Sequence, residues 1–451
     1  MPIHPRRPRS GRILDWIIIA ICSAIFIGLG AFHYRRLDRS ETNDERVKEL
    51  TEQKLIEPKP IDPKVATHDW PQWRGPNRDG VSTETGLLAE WPKDGPPKLW
   101  EAKIGEGYST VSVSNGRVYT IFQDGPNESI ICWNEADGKE QWRFSYECAY
   151  TNNYGNGPRS TPSIDGNLVY AVGAKGDMHC LTADKGKLVW SKKLLEEFNA
   201  EIPRWGVSFS PFVEGDRVFI VPGGTAGHGF AALDKKTGAV LWQKHNDMAS
   251  YSSPVGATIH GERQIIFFAG TRVIGVTLEA GDLLWEYPWP IENELNIATP
   301  LVVNDYVFIS SSYARGAAVL KIAKTGNAWH ATQVYKTNWM RNHFASSVRH
   351  KDHLYGFDDS TLVCMNFQTG KIAWKQRGFD KGSVALAGDQ LYVYGANGIL
   401  ALADADPKEY TERASFRFTQ QDRTCWSVPV IANGRLYVRD LEKLVCFDIR
   451  K

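Results

Sequence analysis

Eight positions along the chain place aromatic, amide or cationic side chains just before a recurring strand pattern. They are Tyr108, Arg159, Trp205, Tyr251, Asn296, Asn342 with His343, Lys381, and Cys425 with Trp426. Arg and Lys pair with carboxylates, and an indole ring offers a flat surface for stacking. The set therefore suits a flat anionic ligand, and the candidate cofactor-binding residues are Arg159, Trp205, Asn296, Asn342, Lys381 and Trp426.

Two other interpretations of this ring of side chains stay open. Residues that precede neighbouring strands can hydrogen-bond to one another and seal a channel with water. They can also contact a bound peptide.

Groups that would support metal binding or catalysis are sparse. None of the ring positions is Asp or Glu, although Glu292, Glu294, Asp380 and Asp422 lie nearby in loops, where solvated charges are the simpler interpretation. The histidines show no metal-ligand spacing, and no nucleophile elbow, phosphate loop or zinc signature appears. The sequence thus favours a protein that is not an enzyme.

A repeated phrase supplies the elements that position the ring. It runs from a small residue with Pro, through a turn and two apolar strands, to a Gly followed four residues later by Trp. The clearest Gly and Trp pairs are Gly138 and Trp142, Gly186 and Trp190, Gly238 and Trp242, Gly281 and Trp285, and Gly370 and Trp374. In the fifth copy Trp329 comes one residue early, and the seventh copy lacks the Trp.

Eight copies of roughly 44 residues suit four-stranded blades, so the sequence predicts an all-β, eight-bladed β-propeller. Seven blades remain the alternative if the seventh copy folds irregularly. The last copy ends at Asp448, before its outermost strand, and residues 98–102 could supply that strand. An N-terminal strand that completes the last blade would close the ring and protect its edges, with Trp100 in the repeat position.

The cysteines fit a propeller core. Cys132, Cys180, Cys364 and Cys446 hold the same position in four copies, which predicts small buried side chains. Cys148 and Cys425 fall outside that repeat position, and a disulfide between them is the alternative to free thiols in an exported protein.

The N-terminal part of the chain predicts a membrane anchor. Residues 1–12 are basic, residues 13–34 contain an apolar stretch from 16 to 32 that reads as a transmembrane signal anchor, and residues 35–68 read as a charged linker. A cleaved signal peptide and a buried helix are the alternatives. The propeller would then occupy residues 69–451 on the periplasmic side of the inner membrane. A net charge of +1 gives no support for nucleic-acid binding.

The phrases TADKGKLVW, LDKKTGAVLW and NFQTGKIAW resemble the pyrroloquinoline-quinone-like (PQQ-like) propeller superfamily over roughly residues 69–450. That superfamily includes calcium-dependent quinoprotein dehydrogenases and a non-enzymatic propeller lipoprotein of outer-membrane β-barrel assembly. It also includes exported proteins of unassigned function, which the phrase DWPQWRGPNRDG is most similar to. The resemblance implies a quinone bound by Arg, Asn, Lys and Trp, but the adjacent cysteines of the alcohol dehydrogenases are absent here.

Two functions follow as hypotheses. The first is a membrane-tethered exported scaffold that binds a protein, peptide or glycan at one rim. The second is a PQQ- and calcium-dependent oxidoreductase that uses the channel mouth as its cofactor site. An unrelated hydrolase or lyase is a more distant possibility.

Overall fold

Short runs of Val, Ile, Leu and Tyr, separated by turns with Gly and Asn, form the strands of an eight-bladed all-β propeller. The computed structural model describes residues 41–56, 68–420 and 425–451. Each blade is a sheet of four antiparallel strands, and blade 7 gains a fifth strand in parallel pairing. The predicted blade count is confirmed, because the seventh copy forms a regular sheet without its Trp.

The strands follow one another along the chain with the innermost strand of each blade first. Two strands precede blade 1, namely β1 (Val81–Ser82) and β2 (Lys98–Lys103). Blades 1 to 4 contain β3 (Ser112–Ser114), β4 (Arg117–Asp124), β5 (Asn127–Asn134), β6 (Glu140–Glu147); β7 (Ser163–Asp165), β8 (Leu168–Val172), β9 (Asp177–Thr182), β10 (Leu188–Lys193); β11 (Phe212–Glu214), β12 (Arg217–Ile220), β13 (Phe230–Asp234), β14 (Val240–Lys244); and β15 (Val255–Ile259), β16 (Glu262–Phe268), β17 (Arg272–Thr277), β18 (Leu283–Pro288). Blades 5 to 8 contain β19 (Leu301–Val303), β20 (Tyr306–Ser311), β21 (Gly316–Thr325), β22 (Ala328–Thr337); β23 (Val348–His350), β24 (His353–Asp358), β25 (Thr361–Asn366), β26 (Ile372–Gln376); β27 (Gly382–Ala387), β28 (Gln390–Gly395), β29 (Ile399–Asp404), β30 (Glu412–Arg417); and β31 (Val430–Ala432), β32 (Arg435–Arg439), β33 (Lys443–Asp448). The helical elements are α1 (Asp44–Glu52), α2 (Leu194–Glu197) and a 3₁₀ turn at Glu292–Glu294.

The strand directions define two faces. Loops that enter the innermost strands lie on one face, called the mouth face below. Turns that join the first and second strands of each blade lie on the other, the base face.

The ring closes as the sequence predicts. Strand β2 pairs antiparallel with β33, and Trp100 lies opposite Cys446. The indole N–H of Trp100 donates to the carbonyl of Glu135 in blade 1 at 3.0 Å. The chain that leads into blade 1 therefore completes the sheet of blade 8, and the Trp100 bond joins the last blade to the first.

The repeat Trp and Gly form one contact between neighbouring blades. The Trp142 indole N–H donates to the carbonyl of Ala183 in the next blade at 2.9 Å, and its ring lies against Gly186. At Gly138, which has a φ of +68°, a Cβ would lie 2.6 Å from the Trp100 ring. Only Gly fits at this position, since it allows both the turn and the close approach of the indole.

Blade 5 corrects the interpretation of Trp329. Tyr335 occupies the repeat position opposite Val319, and its hydroxyl donates to the carbonyl of Phe367 in blade 6 at 2.7 Å. Trp329 lies farther along the hairpin, where Lys324 contacts its ring. The hairpin of β21 and β22 is longer than in the other blades, which the count from Gly326 did not indicate.

The four cysteines that share one repeat position, Cys132, Cys180, Cys364 and Cys446, are fully buried, as predicted. Cys132, for example, lies between Tyr119 and Trp142 on neighbouring strands. Cys148 carries a free, buried thiol, so the disulfide with Cys425 is absent.

The segment from 69 to 84, called the plug segment below, enters the central channel from the base face. The sequence assigns these residues to the propeller but to none of its repeats, and the structure places them inside the ring. Trp70 pairs with Val113 of blade 1, and Val81 pairs with Leu386 of blade 7. Between these two points the chain crosses the channel and closes it.

Two buried arginines hold the plug segment. Arg78 donates to the carbonyls of Pro254 at 2.8 Å and Ser210 at 3.2 Å, and also to that of Pro211. Arg74 donates to the carbonyl of Ser347 in blade 6 at 2.6 Å. Burial lowers the pKa of Arg78 to about 9, so the side chain is still charged at neutral pH.

Glu84, at the end of the plug segment, is a buried carboxylic acid whose pKa lies close to neutral pH. Its carboxylate accepts from the amide of Gly434 at 2.6 Å, yet burial raises its pKa to about 7. Because the folded state binds this proton more tightly than the unfolded chain, the contribution to stability is present at acidic pH and is lost as pH rises through about 7.

We expect Glu84→Gln to raise the free energy of unfolding by about 1–2 kcal/mol at pH 8 and to have little effect at pH 5. The amide mimics the protonated acid and cannot ionise. Denaturant unfolding at both pH values measures the difference. The exposed Glu90→Gln is the control, and an equal effect of Glu84→Gln at both pH values would contradict the assignment.

Residues 41–56 pack along blades 5 and 6, although the sequence showed nothing to hold the α1 helix. Leu50 is fully buried, the carbonyl of Glu41 accepts from the Lys336 amide at 2.8 Å, and Asn304 donates to the carbonyl of Lys54. The predicted basic segment and transmembrane anchor, with the rest of the linker up to residue 67, lie outside the described residues. Among the residues that are described, no helix is both long and apolar enough to cross a bilayer.

Candidate functional site

A blind cup of about 310 Å³ opens on the mouth face above the plug segment. Trp73 of the plug segment lines the cup, and its indole N–H donates to the hydroxyl of Thr299 at 2.9 Å. Since the channel below is filled by Arg74 and Arg78, the cup has a floor instead of continuing through the ring.

Most of the ring predicted from the sequence meets in this cup. The walls come from loops that enter different blades, and the predicted members among them are Tyr108, Arg159, Trp205, Tyr251, His343, Lys381 and Trp426. Of the six candidate binding residues, Arg159, Trp205, Lys381 and Trp426 line it. The propeller brings them together because each blade delivers its entering loop to the same face.

Asn296 and Asn342 do not line the cup. Both side chains are buried and bonded within the fold: Asn296 donates to the carbonyl of Ala269 at 2.7 Å, and Asn342 donates to that of Phe357 at 3.0 Å. Ser311 and Ser347 donate to their amide oxygens. These two amides secure the loops that carry the cup, with no remaining oxygen turned toward it.

Aromatic rings form much of the wall. Trp426 lies between Phe344 and Tyr108, with centroid distances of 5.0 Å to each. Trp205 contacts Tyr251 edge-on at 5.8 Å. Both Trp205 and Trp426 line the cup, and no residue in the described part of the chain accepts from their indole N–H groups.

The polar groups of the cup are mainly donors. The Arg159 guanidinium donates to the carbonyls of Gly155 and Gly157 and lies over the rings of Tyr108 and Tyr150, but it forms no ion pair with any described residue. Burial lowers its pKa. Lys381 is 3.3 Å from the carboxylate of Asp359. An unneutralised guanidinium in an aromatic wall favours an anionic or acceptor-rich ligand.

His343 is a neutral member of the wall at pH 7. Burial lowers its pKa to about 4, its Nε2 bonds with the hydroxyl of Tyr313 at 3.0 Å, and its buried Nδ1 has no partner in the described part of the chain.

Sequence reasoning missed four aromatic side chains of the cup, namely Trp73, Tyr154, Tyr313 and Phe344. Trp73 belongs to DWPQWRGPNRDG, whose aromatic content was the available signal. Phe344 adjoins the predicted His343. Tyr154 and Tyr313 lie in loops whose positions depend on the fold.

The cup does not fit calcium and quinone chemistry. No Asp or Glu among the described residues lines it, Glu292 and Glu294 lie outside its lining, Asp380 is exposed, and Asp422 lies in residues the structure does not describe. In the described ranges, no group of three or more His, Cys, Asp or Glu side chains could hold a metal ion. Arg159, Lys381 and the indoles could contact a planar carboxylate, but hard oxygen ligands are not placed beside them.

The comparison with protein families identifies this propeller type. The family model described as outer membrane protein assembly factor BamB matches residues 126–376, which is more than half of the chain. The chain belongs to this family. The resemblance to the PQQ-like superfamily and to its assembly propeller is thus confirmed.

Individual BamB relatives are distant. BamB of Yersinia pestis is 21% identical over 216 residues, covering 47% of this chain and 51% of that protein. BamB of Shewanella oneidensis is 22% identical over 244 residues, covering 52% of this chain and 61% of that protein. The chain therefore spans about half the length of the curated relatives it matches.

A solved structure agrees on the fold. The crystal structure of BamB from Moraxella catarrhalis superposes with a TM-score of 0.58 at 14% identity, covering 78% of this chain and 99% of that one. At this identity the likeness concerns the fold alone.

Proposed function

We propose that this protein is an exported, membrane-anchored scaffold of the BamB family that binds a protein partner in the cup on its mouth face. The anchor is the apolar stretch at residues 16–32, and the propeller lies on the periplasmic side of the inner membrane. Assembly of outer-membrane proteins, which the family description names, is the process in which we place it.

One observation carries the proposal. The plug segment closes the channel, which leaves a rigid cup with an aromatic wall, N–H donors and, among the described residues, no lining carboxylate. Aromatic and Arg side chains dominate the energetics of protein recognition, and loops on a rigid scaffold present them at fixed positions. Such a site suits an extended polypeptide whose carbonyls and apolar side chains can enter.

We expect Trp426→Ala to weaken peptide binding by about 10-fold or more, because it removes a ring from the centre of the wall. The full chain in detergent is screened against a library of peptides from outer-membrane β-strands, and affinities are measured by fluorescence anisotropy. The exposed Leu188→Ala on the outer edge of blade 2 is the matched control.

Library peptides that bind Trp426→Ala and Trp205→Ala as tightly as the unmodified protein would place the partner elsewhere. The absence of any binding peptide would contradict the peptide-binding role itself. A glycan partner would be recognised by competition from oligosaccharides at the same site.

The quinone-binding alternative is supported only by Arg159 and its aromatic neighbours. Titration of the full chain with PQQ and calcium, followed by tryptophan fluorescence, tests it directly. We expect no saturable quenching at tens of micromolar ligand, a range in which a formed cofactor site shows affinity. Saturable quenching that Arg159→Ala abolishes would establish the cofactor site in place of the scaffold.

A further inference from the structure

The chain reaches the propeller at the mouth face. Thr42 pairs with Tyr335 in antiparallel register, and the carbonyl of Glu41 accepts from the amide of Lys336. Strand β22 runs toward the mouth face and ends at Thr337, so the chain that precedes Glu41 leaves toward that face. Residues 44–56 run the other way, toward the base.

The length of chain between the anchor and Glu41 decides which face of the propeller lies toward the membrane. Residues 33–40 separate the apolar stretch from Glu41, and at full extension they span about 26–29 Å. The ten residues of β22 cover about 33 Å of blade height. The linker is therefore too short to bring the base face against the membrane, whereas the mouth face lies within its reach.

The mouth face also carries exposed apolar side chains. Large hydrophobic residues with more than a third of their surface exposed are found there on five loops: Tyr154, Ile202, Met248, Tyr313 and Trp339. On the base face of the described chain Ile56 is exposed as well, and the remaining six, Leu99, Leu188, Val189, Val240, Leu241 and Leu283, lie at the base ends of the outer strands of blades 2, 3, 4 and 8.

Trp339 has the chemistry of an interfacial anchor. It lies two residues beyond the end of β22, next to the point where the tether leaves, and the Lys375 ammonium is 3.7 Å from its ring centroid. Tyr and Trp concentrate at the headgroup level of bilayers because their rings are apolar and their N–H or O–H groups are polar.

We propose that the mouth face docks on the lipid bilayer that holds the anchor, with Trp339, Ile202 and Met248, which lie outside the cup, in contact with the headgroup region. The inference rests on the membrane anchor in the proposed function. It places the cup at the membrane surface, where its partner arrives along the bilayer.

The test uses the full chain reconstituted into protein-free vesicles of phosphatidylethanolamine and phosphatidylglycerol. A Cys22→Ser background leaves only buried native thiols in the described chain, so a fluorescent label reports an added cysteine alone. The labelled positions are Met248→Cys on the mouth face and Lys185→Cys on the base face. Lipids with a nitroxide on the headgroup quench a label that lies close to the membrane.

We expect the Met248→Cys label to be quenched several-fold more than the Lys185→Cys label, and Trp339→Glu to reduce that difference. Equal quenching of the two labels, or greater quenching of Lys185→Cys, would overturn the inference. Flotation of the vesicles separates the two claims. If the chain does not float with the lipid, the anchor and the docking both fail; if it floats and neither label is quenched, the anchor stands and the mouth face does not dock on lipid.

Discussion

Arg78→Ala is expected to lower the free energy of unfolding by about 3–5 kcal/mol, the largest effect of any single substitution in the plug segment. The guanidinium is 2% exposed and donates to carbonyls before the innermost strands of blades 3 and 4. Alanine removes the cost of burying the charge, but it leaves several buried carbonyls without donors and a gap in the channel. Each such orphaned acceptor costs about 1–3 kcal/mol, so the loss outweighs the gain.

Guanidinium chloride unfolding, followed by tryptophan fluorescence, measures this change. Arg263→Ala is the matched control, because Arg263 pairs with Glu214 on the surface and an exposed pair contributes about 0–1 kcal/mol. The loss in free energy of unfolding caused by Arg78→Lys should lie between the losses caused by Arg263→Ala and Arg78→Ala, since an ammonium carries fewer donors in a different geometry. If Arg78→Ala lowers the free energy of unfolding no more than Arg263→Ala does, the plug segment does not hold the blades together.

Trp100→Ala is expected to cost about 3–5 kcal/mol by opening the contact between the last blade and the first. The indole is 7% exposed, packs on Gly138 and Tyr437, and donates to the carbonyl of Glu135. Alanine leaves a cavity at the contact between blade 8 and blade 1 and removes the indole bond to Glu135.

Hydrogen exchange locates the effect. Amides of β2 and β33 should exchange many times faster in Trp100→Ala, while those of blades 3 and 4 change less, because local opening precedes global unfolding. Leu99→Ala, a neighbouring change of an exposed side chain, should shift stability by about 0.5 kcal/mol or less. Unchanged exchange in β2 and β33 would show that the closure does not depend on this contact.

The repeat explains why so much of the fold could be predicted. The Gly and Trp of the repeat, such as Gly138 and Trp142, recur at a constant spacing because the Trp of each blade packs against the Gly of the next. Blade 5 departed from the prediction because Tyr335 replaces the Trp on a longer hairpin, and hairpin length is set by pairing along the whole strand.

The cup was predicted only in part. Arg159, Trp205, Lys381 and Trp426 could be found because a position before an innermost strand places a residue at the mouth. The same rule failed for Asn296 and Asn342, since position along the chain does not determine which way a side chain turns. Their side-chain amides donate to nearby backbone carbonyls, so they do not line the cup.

The sequence by itself determined the blade count, the closure by residues 98–102 and the general composition of the mouth, because these depend on local periodicity and on residue type. Only the tertiary structure decided that DWPQWRGPNRDG fills the channel and that residues 41–43 pair with the mouth end of β22. Arg78 lies far along the chain from Ser210 and Pro254, and no local pattern indicates which distant carbonyls a buried guanidinium will meet. That choice follows from the closed ring, which gathers the innermost strands of all blades around one axis.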